Sequence, residues 1–186
     1  MKACAGAVER LDLHCPECRS IAEVDHHGEG MKAVLSQLVH SKEFLERAFE
    51  MFALKAHHQR LTLRFVLSET LPSLVVDRIL LARTLQLLID RALDVTPVGG
   101  VVVRAKRTAG DVVIMVDDGG PWVSPRDVPR LFLPGSADTD LVTAADLARQ
   151  LGGMLSASGG REQLGLRVKL LVPILPTVAQ RRYERA

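Results

Sequence analysis

The sequence is short of cysteine and aromatic residues and has no long apolar run, and each shortage removes a class of protein. Three cysteines in 186 residues make a poor disulfide framework, and a reducing compartment would keep them as thiols or metal ligands. Aromatic residues make up 4% of the chain and the formal charge is only +2. No stripe of Lys and Arg alternates with aromatics, so nucleic-acid binding is not expected. No stretch approaches the roughly 18 uninterrupted apolar residues of a membrane helix. The opening MKACAGAVERLDLHC lacks the apolar core of a signal peptide, so the expectation is a cytoplasmic protein without a membrane segment. What is present is 47% apolar residues with both charge signs nearly balanced, enough for one well-packed domain and an appendage.

Residues 1–30 differ from the rest. They hold Cys4, Cys15 and Cys18 together with His14, His26 and His27, and end at the Gly28-Glu29-Gly30 break. Within HCPECRSIAEVDHH, Cys15 and Cys18 with His26 or His27 could form a zinc site, act as a redox thiol pair, or be an incidental cysteine pair. No second CxxC follows, so a fourth ligand would have to come from Cys4 or from both neighbouring histidines. From 31 to 59, Val34, Leu35, Leu38, Phe44, Leu45, Ala48, Phe49 and Phe52 recur at helical spacing and predict one long amphipathic helix.

In residues 60–176, LTLRFVLSET alternates Leu61, Leu63 and Phe65 with polar neighbours and predicts a half-buried strand. Asp77 caps a predicted helix, RILLARTLQLLIDRALDV, that stops at Thr96-Pro97. Strands VVVRA and DVVIMV follow, then a loop rich in Gly and Pro, a short helix TAADLARQL, and strands MLSAS and LRVKLLVPI. That order predicts an α+β fold, a two-layer sandwich whose mixed sheet is covered on one face by helices. Residues 177–186 are a basic tail.

These words in this order resemble the GHKL ATPase superfamily, and within it the catalytic ATP-binding domain of bacterial histidine kinases. The match runs from about Phe44 to Pro173. DRILLARTLQLLIDRALDVTPVGG resembles the N-box helix and its exit, and SPRDVPRLF the segment after the G1 box. LARQLGGMLSASGG and LRVKLLVP resemble the last helix and closing hairpin.

The resemblance implies a nucleotide pocket, and several positions of this chain depart from it. The magnesium-ligating Asn of the N-box falls on Arg91 and the assisting position one turn earlier on Leu87. A fixed cation cannot ligate a hard divalent cation, which requires oxygen ligands. A magnesium site shifted to Gln86 and Asp90 is an alternative, as is a plain solvated surface at Asp90 and Arg91. The G1 box reads Asp118-Gly119-Gly120-Pro121-Trp122, with the adenine-binding Asp118 and first glycine, Gly120, kept and the second glycine replaced by Trp122. The indole is expected to seal an empty pocket as a core residue, or to offer a stacking surface to a base. The threonine that seats adenine corresponds to Leu166. The phosphate-binding Gly-Leu-Gly-Leu corresponds to Asp138-Thr139-Asp140-Leu141, where two carboxylates repel a triphosphate. Asp138 and Asp140 could instead ligate a cation.

The resemblance also implies a phosphoacceptor histidine on the first of two dimerisation helices, for which the chain leaves no room. Helix 31–59 resembles the second of these, a possible homodimer contact, and His26, His27 and His40 are the phosphoacceptor candidates. The expected protein is therefore a degenerate, non-catalytic histidine-kinase-like module or adaptor in two-component phosphorelay signalling. Its expected partner is a histidine kinase or a response regulator, and it needs no cofactor. The alternatives are an ATP- and magnesium-binding kinase domain with an atypical pocket, and a zinc or thiol sensor acting through Cys15 and Cys18.

Overall fold

The fold was analysed in a computed structural model, which describes residues 36–160 and 164–174. Strand β1 (Ser36–Val39) leads into helix α1 (Ser41–His58). Strands β2 (Thr62–Leu67) and β3 (Leu74–Asp77) follow, then helix α2 (Arg78–Val95) and the hairpin of β4 (Gly100–Arg107) and β5 (Asp111–Asp117). A 3-10 turn at Val128–Phe132 precedes helix α3 (Thr139–Gln150), and β6 (Met154–Gly159) and β7 (Leu166–Pro173) close the domain.

Helix α2 is the spine. The Asp77 carboxylate accepts from the Ile79 and Leu80 N–H groups and so satisfies two donors that a helix start leaves unpaired. Leu81, Leu85, Leu88, Ile89, Ala92 and Leu93 form its buried stripe, each large aliphatic side chain contributing about 1.5–3 kcal/mol. The helix ends at Thr96 because Pro97 disfavours helical geometry in the residue before it.

Five strands form a mixed sheet in the order β2-β4-β5-β7-β6, with β2 parallel to β4 and the other pairs antiparallel. Alternation puts Val101, Val103 and Ala105 of β4 and Leu166, Val168, Leu170 and Val172 of β7 into the core beneath the helices. This is the expected two-layer α+β sandwich.

The segment 31–59 departs from its expectation. Within the described residues the helix begins at Ser41, and Ser36–Val39 is a strand paired antiparallel with β3, Val39 opposite Leu74. A strand buries alternate residues, so Val39 goes inside and Leu38, 64% exposed, goes out. Helical counting puts Leu38 on the buried stripe, and the strand reverses it. Helix α1 buries Leu45, Phe52 and Ala56 within this domain and is joined to α2 by Lys55, whose ammonium donates to Asp90 at 2.7 Å and sits 3.1 Å from Asp94. Partial burial lowers the Lys55 pKa, but the hydrogen bonds and charges of the two aspartates outweigh it and hold that pKa above its ordinary value. Helix α1 thus packs as part of the sandwich, and Met51 and Leu54 stand exposed on its outward side. No described helix is long and apolar enough to cross a membrane.

Candidate functional site

Three segments distant in sequence converge on one guanidinium. Arg91 lies near the end of α2, Asp118 directly follows β5, and Asp138 is the N-cap residue of α3. Arg91 donates through Nη1 to Asp118 Oδ2 at 2.6 Å and through Nε to Asp138 Oδ2 at 2.7 Å. The Arg91 side chain is 11% exposed, that of Asp118 2% and that of Asp138 17%. Two partly buried carboxylates thus share one cation. Removing one member of such a cluster leaves a buried charge uncompensated, which typically costs about 3–5 kcal/mol.

The remaining valences of both aspartates are also used inside the protein. Asp118 Oδ1 accepts from the Gly120 and Leu166 N–H groups, each at 3.0 Å. The Asp118 N–H in turn donates to the Leu166 carbonyl. Asp138 Oδ1 accepts from the Leu141 N–H at 3.2 Å and caps α3. Two glycines make this packing possible. A Cβ on Gly120 would lie 2.9 Å from both the side chain and the carbonyl of Val95. Gly165, at φ +62, lies so close that a Cβ would meet the Asp118 carbonyl oxygen at 2.0 Å. Thr96 completes the turn by donating to the Ala92 carbonyl and accepting from the Gly119 N–H.

A cleft of about 350 Å³ opens beside the cluster, lined by Arg91, Asp94, Val95 and residues 137–140. Asp140 and Asp138 therefore border it. Leu166 also sits at the site, but its side chain is fully buried in the core and only its backbone reaches Asp118. Leu87 packs against the core as well.

Three readings are corrected. Trp122 is 46% exposed and is not a core residue sealing the pocket. The turn after β5 is pinned by the Gly165 N–H donating to the Gly120 carbonyl, and beyond it the indole lies over Gly159, a Cβ on which would be 3.1 Å from its Nε1. Arg91 is not solvated helix surface, because Asp118 and Asp138 hold it inward. A magnesium site through Gln86 and Asp90 is displaced by Lys55, which occupies Asp90, while Gln86 is exposed.

His40, expected within a helix, stands at the β1–α1 junction with Nδ1 3.0 Å from Ser73 Oγ. Cys4, Cys15, Cys18, His26 and His27, with the zinc and thiol readings that rest on them, lie outside the described residues. Among the described residues no group of three or more His, Cys, Asp or Glu side chains is placed to hold a metal ion.

In the arrangement seen here, the position that the resemblance assigns to magnesium carries a guanidinium rather than an oxygen ligand. Asp118, to which the resemblance assigns the adenine contact, accepts a charge-assisted bond from it. The helix N-terminus that could meet a phosphate is capped by the chain's own Asp138.

No protein-family model matches the chain. Among curated proteins it is similar to the alginate biosynthesis sensor protein KinB of Pseudomonas aeruginosa, 27% identical over 141 residues, which cover 71% of this chain. The chain spans about a quarter, 24%, of that relative's length. Among solved structures it is similar to full-length ShkA in complex with AMPPNP, at a TM-score of 0.69 and 23% identity, covering 80% of this chain and 33% of that one. The catalytic domain of the histidine kinase ThkA, in a nucleotide-free form, superposes with a TM-score of 0.69 at 17% identity, covering 78% of this chain and 98% of that one. ThkA is also known in complex with the response regulator protein TrrA. The chain has the fold of histidine-kinase catalytic domains.

Proposed function

We propose that this domain is a histidine-kinase-like ATPase domain that has lost nucleotide chemistry and acts by binding, as an adaptor or signalling module in two-component phosphorelay signalling. The observation that carries the reading is Arg91, which falls where the resemblance puts the magnesium ligand and bridges Asp118 and Asp138. A nucleotide would have to displace this internal cation, uncover two carboxylates and then bring its own negative charge to them. The partner is a histidine kinase or a response regulator. A complex of ThkA, a protein of the same fold, with a response regulator supports that class of partner.

A second reading rests on the retained Asp118 and Gly120 and on the cleft beside Arg91: an ATP-binding kinase domain in which Arg91 swings out when nucleotide enters. Calorimetric titration of the full chain with AMPPNP, with and without magnesium, separates the two. No saturable binding at millimolar ligand is expected. Micromolar, magnesium-dependent binding would overturn the proposed function and establish the second reading.

A further inference from the structure

The face of the sheet turned away from the helices carries a charge pattern that the nucleotide pocket does not explain. Alternation brings Arg64 of β2, Arg104 and Lys106 of β4, Asp111 and Asp117 of β5, and Arg167 and Lys169 of β7 to this side. Five basic groups and two acids leave it about three charges positive, whereas the whole chain nets only +2. The excess is local, with Asp111 at the far end of β5 from Asp117.

Its centre is pre-organised. Asp117 accepts from both Arg104 and Arg167, one on each neighbouring strand. The hydrogen bond to Asp117 also raises the pKa of Arg167. Each guanidinium has five N–H donors, so most remain available while the side chains are held in place. The Arg104, Arg167 and Asp117 side chains are 33%, 20% and 18% exposed. Lys106 and Lys169 flank the centre, and Val66, 46% exposed, and Met115 interleave apolar surface.

We propose that this open sheet face is a docking surface for an acidic protein surface. Fixed arginines among aliphatic side chains match the composition of protein interfaces. Single-stranded nucleic acid calls for aromatic platforms, and the one aromatic residue of these strands, Phe65, faces the other way and packs on Phe49. Five strands about 4.8 Å apart and five residues deep at about 3.3 Å each present about 400 Å², half the about 800 Å² per partner of a stable complex. The contact is therefore transient and salt-sensitive. It does not depend on whether the pocket binds nucleotide.

The test uses the full chain and three probes: poly-glutamate, duplex DNA, and vesicles containing phosphatidylserine. Poly-glutamate is expected to bind best, and R64E/K106E/K169E to weaken it about tenfold. K42E/R83E/R126E, an equal charge change on α1, α2 and the Ser124–Val128 turn, is expected to leave binding within about twofold. R64Q/K106Q/K169Q, which places no new carboxylate beside Asp117, gives the same readout should the reversed variant not fold. Equal losses in the sheet and control variants would overturn the proposal. So would preferential binding of DNA or vesicles, or no binding of poly-glutamate.

Discussion

Replacing Arg91 with alanine is expected to destabilise the domain by about 3 kcal/mol, the low end of the range for breaking a buried ion pair. The low end applies because Asp118 keeps its bonds from the Gly120 and Leu166 N–H groups and Asp138 keeps its cap on Leu141. For a chain of this size that corresponds to a fall in Tm of about 6–12 °C. Thermal and urea unfolding of R91A, D118N and R91A/D118N provide the assay. Asn at 118 still accepts from both backbone amides but carries no charge, so the double variant should recover more than half of the R91A loss. A loss below about 1 kcal/mol in R91A, or simple additivity in the double variant, would refute the cluster as described and return Arg91 to the status of an exposed pair.

Other positions give independent checks. Gly165→Ala should cost more than about 3 kcal/mol and unfold part of the population, since its backbone is left-handed and its Cβ would collide with Asp118; circular dichroism at rising temperature reads this. Leu166→Thr, which introduces the residue type that the resemblance implies there, should cost about 2–3 kcal/mol in a denaturant titration because the side chain is fully buried. The protein has a single tryptophan, so Trp122 fluorescence should be solvent-shifted and readily quenched by acrylamide; a blue, unquenched emission would place the indole in the core after all. The raised Lys55 pKa predicts a contribution to stability that is complete below pH 10.5 and lost as pH rises through the folded value. In K55M that part of the alkaline decline should be absent from the pH–stability curve.

Helix α2 could be read residue by residue because both of its boundaries are local chemistry, the Asp77 cap and the Thr96-Pro97 stop. The start of α1 could not. Residues 36–39 are too few for helical and alternating spacing to be told apart, and what decides between them is pairing with β3 far along the chain. Helix α3 begins at Thr139, ahead of the expected TAADLARQL, because Asp138 caps it; aligned to a phosphate loop, the same aspartate reads as a lost glycine or a cation ligand. The site shows the same limit. Arg91 and Asp138 stood out as departures from the family pattern and Asp118 as a retained residue, but a guanidinium binding carboxylates 27 and 47 residues away has no sequence signature. One available signal was charge balance: a cation at one pocket position and two new acids at another compensate each other. Trp122 misled because its size suggested the core, whereas its position depends on a turn pinned by Gly165.

The central claim, a nucleotide pocket occupied by the chain's own Arg91, is tested most directly by NMR of the arginine side chains in the full protein. The Arg91 Nε–H should give a resolved, slowly exchanging resonance that disappears in R91K and does not move when AMPPNP and magnesium are added to millimolar concentration. An Arg91 signal that exchanges freely with water, or one that shifts in a saturable way with AMPPNP, would contradict the account.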